Sequence, residues 1–232
     1  IMCLLVFTAS DASSKIYEVG PKKKYKKISS VPLDDLNPGD IVEIFYRKEP
    51  YRERIVLRRS GTRQNPIIIR GVGHKGKLPI IDGKFARQEQ KENWPNSGRF
   101  LIKIGDKTPG SYLRIENLVI RNANNKNTTI ESRGKRLYAG NAAGIFLRYG
   151  QHVLISNCRI YSCGNGILTY HGPEVTNLTI RKCTIYANGD HQNRDSFLEH
   201  NVYLEGEQST IEFCRFDAPY ANGQNIKDRG KK

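Results

Sequence analysis

One short pattern, apolar-x-x-apolar-x-apolar, recurs in the second half of the chain: Ile115-Glu-Asn-Leu-Val-Ile120, Ile155-Ser-Asn-Cys-Arg-Ile160, Ile180-Arg-Lys-Cys-Thr-Ile185 and Ile211-Glu-Phe-Cys-Arg-Phe216. A regular strand alternates strictly between its two faces. The two adjacent x positions therefore mark a bend with apolar residues on the inside of both arms. A second strand follows each unit: Gly144-Ile-Phe-Leu-Arg148, Gly166-Ile-Leu-Thr-Tyr170, Asn201-Val-Tyr-Leu-Glu205 and Asn225-Ile-Lys-Asp-Arg229. Superposing the units stacks Ile145, Ile167, Val202 and Ile226 in one internal column, and Leu118, Cys158, Cys183 and Cys214 in another. Strand–bend–strand units at unequal spacing, with extra length confined to one connection, are what a β-solenoid requires. The extra length falls at residues 121–141 and 188–199.

Upstream, Asp40–Phe45, Arg54–Leu57, Pro66–Ile69 and Leu78–Ile81 are short β-branched runs separated by Gly, Pro and Asn, and fit earlier, less regular coils. Helical periodicity is absent over any useful length. A two-sheet sandwich is the rival architecture, but it has no reason to repeat one side-chain ladder at every second strand. The cysteine column is expected to hold buried free thiols, with a disulfide between neighbouring coils as the less favoured alternative.

The 38 Lys and Arg against 23 Asp and Glu give a net charge of +15, so the surface attracts polyanions. No stretch reaches the roughly 18 apolar residues a membrane span needs. No phosphate loop, zinc spacing or nucleic-acid-binding module is present, and nucleic acid is not an expected partner. Residues 1–14, apolar from Ile1 to Phe7 and then small and polar, read as the remnant of a secretory signal peptide. The expectation is an exported, secreted or periplasmic protein whose solenoid domain occupies residues 15–232. Because the chain stops directly after a repeat strand, C-terminal coils are expected to be missing.

Tyr17-Glu-Val-Gly-Pro21, Leu36-Asn-Pro-Gly-Asp40, and Ser60-Gly-Thr62 leading into Pro66-Ile-Ile-Ile-Arg-Gly71 carry a resemblance to known proteins, as do Glu199-His-Asn-Val-Tyr203 and Asn225-Ile-Lys-Asp-Arg229. The chain resembles secreted right-handed parallel β-helix proteins of the pectate-lyase-like superfamily. That resemblance implies an all-β single-stranded solenoid. It leaves activity open, because the superfamily holds lyases, glycoside hydrolases, epimerases, tailspikes and members with no known activity.

Alternation along aligned strands places Phe146, Leu168, Tyr203 and Lys227 in one outward column, with Arg148, Tyr170, Glu205 and Arg229 beside it. Such a face suits an acidic polysaccharide: tyrosine rings stack on sugars, and a guanidinium grips a carboxylate through two parallel hydrogen bonds. Cleaving a uronate chain by β-elimination needs neutralisation of the carboxylate, a base for the C5 proton and a proton for the leaving oxygen. Arg229 is the candidate for the first and Lys227 for the second, while Tyr203 or His200 serves the third. The resemblance implies the same loosely, since lyases of this fold commonly use a Lys or Arg base on this sheet. Arg148, Tyr170, Glu205 and Asn201 are the candidate substrate-binding residues. No cofactor is required by this scheme. Calcium enters only if Asp190, Asp195 and Glu199 gather from their loop. A non-catalytic glycan-binding or adhesion solenoid and a glycoside hydrolase are the alternatives. The hydrolase needs two carboxyl groups on the groove, and the outward columns offer only Glu205.

Overall fold

The computed structural model describes residues 14–90 and 98–230. The expected leader remnant and Cys3 lie, apart from Ser14, outside those residues. Three parallel sheets wind in a repeating order. The first joins Ile16–Val19, Ile41–Phe45, Ile67–Val72, Leu113–Glu116, Leu154–Ser156, Val175–Arg181 and Glu207–Glu212. The second joins Ile80–Asp82, Val119–Arg121, Arg159–Tyr161, Thr184–Tyr186 and Arg215–Phe216. Ile55–Leu57, Phe100–Ile104, Ala143–Leu147, Asn165–Thr169, Val202–Leu204 and Ile226–Asp228 make the third. From Ile67 onward each turn of chain visits the three sheets in that order, so the fold is an all-β parallel β-helix.

The repeat pattern is the corner between the first and second sheets. Ile115, Ile155, Ile180 and Ile211 pair in register on one arm; Ile120, Ile160, Ile185 and Phe216 do so on the other. The third residue of each unit sits in the left-handed region: Asn117 at φ 58°, Asn157 at 50°, Lys182 at 53° and Phe213 at 54°. Asparagine tolerates that conformation because its short amide bonds locally, and Asn157 Nδ2 donates to Asn117 Oδ1 at 2.6 Å across the coils. Phe213 has no such compensation and is 79% exposed. Replacing Phe213 with Asn is expected to raise stability by about 1 kcal/mol, the scale of left-handed strain for an ordinary residue. Denaturant unfolding of the two proteins checks this, and an unchanged or lower midpoint would contradict it.

Inside, Ile102, Ile145, Ile167, Val202 and Ile226 form one column in register on the third sheet. Ile145, Ile167 and Val202 are fully buried, whereas Ile226, in the last described coil, is 43% exposed. Leu118, Cys158, Cys183 and Cys214 stack at the bend, and Cys158, Cys163, Cys183 and Cys214 are all free thiols. Each thiol of the stack donates to an isoleucine carbonyl of the coil before it: Cys158 to Ile115, Cys183 to Ile155 and Cys214 to Ile180, at 3.8, 3.6 and 3.5 Å. Asp228, an inward residue by alternation, does not stay uncompensated. Its Oδ1 accepts the Gly230 N–H at 2.8 Å, and its side chain remains exposed in the last described coil.

The first long connection is not a plain loop, as the sequence suggested. Thr128–Glu131 and Gly134–Leu137 form an antiparallel hairpin, and Ala86–Arg87 adds to it in parallel. Buried Arg54 ties it to the coils: Nη1 meets Glu131 Oε1 at 2.7 Å, and Nε donates to the Phe100 carbonyl at 3.0 Å. Cross-strand patterns of this length leave no solenoid repeat to find, so the hairpin was invisible to an alignment of coils.

Candidate active site

The third sheet carries a cleft of about 540 Å³. Its floor is the outward column Phe146, Leu168, Tyr203 and Lys227, which pair in register from strand to strand. Tyr170, Glu205 and Arg229, at the ends of the same strands, make one side. The other side comes from the long connections, through Gly140 and Asn141 and then Phe197, Leu198, Glu199 and His200. Six of the eight site residues expected from sequence, Lys227, Arg229, His200, Tyr203, Tyr170 and Glu205, thus line one cleft.

Lys227 and Arg229 project from one face because they flank Asp228, Lys227 within the strand Ile226–Asp228 and Arg229 directly after it. The backbone N–H of Arg229 donates to Leu204 O at 2.7 Å, which fixes the strand end. The Arg229 guanidinium lies 5.9 Å from the centre of the Tyr203 ring, and the His200 ring meets that ring edge-on at 5.1 Å. Burial pushes the Tyr203 phenol upward, the Glu205 charge adds to this, and Arg229 opposes it. The phenol therefore keeps its proton until a stronger base, such as a departing alkoxide, takes it.

His200 behaves differently. Its Nδ1 accepts the Gln224 N–H at 2.9 Å, so that nitrogen carries the lone pair and Nε2 carries the hydrogen. Burial, and then the charges of Lys227 and Arg229, push its pKa down to about 4. A neutral imidazole locked in this tautomer donates a hydrogen bond but makes a poor proton source, which leaves Tyr203 as the better acid of the two. Because the folded pKa lies below the unfolded one, near 6.5, His200 takes nothing from stability above that pH. It destabilises progressively as pH falls from about 6.5 to about 4. NMR titration of the ring protons should give a midpoint near 4, and His200→Gln should remove this part of the acid sensitivity. A midpoint near 6.5 would refute the assignment.

Two expected binding residues lie elsewhere. Asn201 is fully buried beneath the floor. Its Oδ1 accepts from Asn188 N and Nδ2, and its own Nδ2 donates to Asp217 O and Asn225 Oδ1 at 2.9 and 2.7 Å. With every polar atom used inside the coils, Asn201 holds the fold and does not reach a ligand. Arg148 is not among the lining residues either; its guanidinium lies 3.6 Å from the centre of the Tyr170 ring and braces it.

Two further groups line the cleft, Lys103, which the sequence analysis did not name, and Glu199, which it named only as a possible calcium ligand. Lys103, in the strand Phe100–Ile104, lines the cleft while nearly buried, with Nζ 2.9 Å from Asp106 Oδ1. Glu199 also lines it and is buried. Burial raises the Glu199 carboxyl, the Asp190 charge adds to this, and the hydrogen bond donated by Ser196 Oγ opposes it. Asp190 is held ionised against its own desolvation by Asn125 Nδ2 and the N–H groups of Asn193 and Gln192. The two carboxyls flank Gly140, where an added Cβ would meet Asp190 Oδ2 at 3.2 Å and Glu199 Oε1 at 3.6 Å. Only the presence of acids in a long connection hinted at this, since a loop has no register to align.

A family model described as a right-handed β-helix region matches residues 100–231. The chain belongs to the right-handed β-helix family. Among solved structures, this β-helix is similar to an alginate lyase from Paenibacillus sp. str. FPU-7, at 16% identity and a TM-score of 0.57, over 91% of this chain and 61% of that one. It is also similar to the pectate lyase Pel9A, at 13% identity and a TM-score of 0.53, over 88% of this chain and 50% of that one. The chain thus spans half to three fifths of the length of these proteins, and at such identities the likeness is one of fold. No curated protein matches the sequence. Among the described residues, no group of three or more His, Cys, Asp or Glu is placed to hold a metal ion, and no helix is long and apolar enough to cross a membrane.

Proposed function

We propose that this β-helix is an exported polysaccharide lyase that cleaves an acidic polysaccharide by β-elimination. The observation that carries the reading is the placement in one cleft of Lys227 on the floor and Arg229 at its side, beside Tyr203, which pairs in register with Lys227. Neighbouring strands lie about 4.8 Å apart, so one sugar ring reaches both side chains. In this scheme Arg229 holds the uronate carboxylate through two hydrogen bonds and stabilises the charge that spreads onto it as C5 loses its proton. The amine of Lys227 takes that proton. The released electron pair forms the C4–C5 double bond, the C4–O bond breaks, and the Tyr203 phenol protonates the departing oxygen. No water is consumed, and the new non-reducing end is an unsaturated uronate. Neutral His200 contributes its Nε2 hydrogen bond beside Tyr203, and the Tyr170 ring, braced by Arg148, offers a stacking face. The export part of the proposal rests on the character of residues 1–14.

A second reading, glycoside hydrolysis, is favoured by one observation: Glu199 and Glu205 both line the cleft, and Glu199 is pushed toward its acid form. Two carboxyls in unlike environments are the usual equipment for that reaction. A panel of uronate polymers separates the readings. Elimination yields products with new ultraviolet absorbance from the conjugated double bond; hydrolysis yields new reducing ends without it. Salt-sensitive binding with no new ends of either kind would retire both in favour of a glycan-binding module.

A further inference from the structure

The two sides of the cleft differ in kind, and the difference bears on what polymer it accepts. On one side Arg229 and Lys227 present positive charge next to Tyr170 and Tyr203. On the other, Phe197 and Leu198 stand 67% and 70% exposed at the rim, large apolar side chains that no packing of the coils calls for. Beneath them lies buried Glu199, with Asp190 behind it across Gly140. None of the cations on these connections lines the cleft; Lys126 and Arg194 sit over the Tyr220 ring, at 5.6 and 5.0 Å from its centre. Arg99 and Lys103 do line the cleft, but they come from the coil of Phe100–Ile104, at the opposite end of the floor from Lys227. A carboxylate placed against Phe197 and Leu198 would therefore lose its water to apolar side chains, with ionised Asp190 behind the wall.

We infer that the preferred polymer alternates a uronate with an uncharged sugar, the uronate turned to Arg229 and the uncharged unit turned to the wall of Phe197, Leu198 and Glu199. This rests on the elimination reading above. In a ribbon-like chain of 1→4-linked pyranoses, successive residues turn over, so their C5 substituents point to alternate sides. A homopolymer of uronate would send every second carboxylate onto the apolar wall in front of Asp190. An N-acetylated or otherwise uncharged neighbour instead offers that wall an apolar group for Phe197 and Leu198, and no charge to be stripped of water. The wall thereby becomes a specificity element and not merely a boundary.

The test compares kcat/KM for two polymers of matched length, a homopolyuronate and an alternating copolymer of uronate with N-acetylhexosamine, in the wild-type chain and in Phe197→Lys. Phe197 is mostly exposed, so this variant leaves the core untouched, and it puts a cation on the wall. The wild type is expected to favour the copolymer by about tenfold or more, the scale of one misplaced charge in a groove. Phe197→Lys should narrow that ratio, chiefly by lowering KM for the homopolymer. Equal or faster turnover of the homopolymer, or a ratio that Phe197→Lys leaves unchanged, overturns the inference while the elimination reading stands. Failure of either polymer to yield unsaturated ends or to bind overturns both together.

Discussion

Replacing Lys227 with Ala is expected to lower the formation of unsaturated uronate ends by about 10²–10⁴-fold, the usual contribution of a positioned base, with no change in the unfolding midpoint. The side chain faces the cleft and supports nothing inside the coils, so its loss opens no cavity and strands no buried group. Arg229→Ala should do comparable damage for another reason. Without the guanidinium, the charge that develops on the carboxylate as C5 is deprotonated has no fixed counter-charge. Arg229→Lys should recover only part of the rate, because an ammonium is a point charge and cannot grip a carboxylate through two parallel hydrogen bonds. Rates and equilibrium unfolding measured on the same preparations decide the matter. A variant that keeps wild-type turnover removes its residue from the mechanism, and a pure binding module would lose affinity stepwise with each cation and never form product.

Asn201→Ala is expected to show the opposite pattern, a loss of stability of about 2–5 kcal/mol, the range for breaking a buried hydrogen-bond network. The substitution strands Asn188 N, Asn188 Nδ2 and Asp217 O, which lose the partner that Asn201 supplies. Asn188 in turn holds Cys163 N and Ile160 O, so the damage reaches the preceding coil. Protein that remains folded at low temperature should keep a KM close to that of the wild type, because Asn201 does not line the cleft. A raised KM at unchanged stability would restore Asn201 to the binding surface.

The coils were legible in the sequence because a solenoid repeats its internal contacts at fixed positions. Ile145, Ile167 and Val202 fall in register on the third sheet as the alignment predicts, and the bend shows itself in Asn117 and Asn157. The cleft floor followed from the same register, since alternation assigns Tyr203 and Lys227 to the outer face once Val202 and Ile226 are aligned. What alternation cannot do is tell a turn residue whose amide is spent on the backbone from one that is free. Asn201 directly precedes the strand Val202–Leu204 and is of a type that binds ligands, yet its amide is consumed by its neighbours. Nor does register extend into the connections. Glu199 and Asp190 converge on Gly140 through contacts between chain segments far apart in sequence, and the hairpin at Thr128–Leu137 answers to Arg54 and Ala86, not to the coil repeat.

The stacked thiols give this molecule a built-in gauge of its own opening. Cys158 and Cys183 are buried, and each points its S–H at a carbonyl of the preceding coil, so neither meets a water-soluble alkylating reagent while its two coils stay together. Labelling then proceeds only as fast as the coils part. Because each coil touches chiefly its neighbours, the labelling rate at each cysteine reports the free energy of separating one particular pair of turns. Partly exposed Cys214 supplies the fast reference within the same chain. Mass spectrometry of a timed labelling experiment would therefore map cohesion along the axis rung by rung, without a single mutation, and would register any ligand that spans Tyr203 and Lys227 as a clasp between adjacent turns.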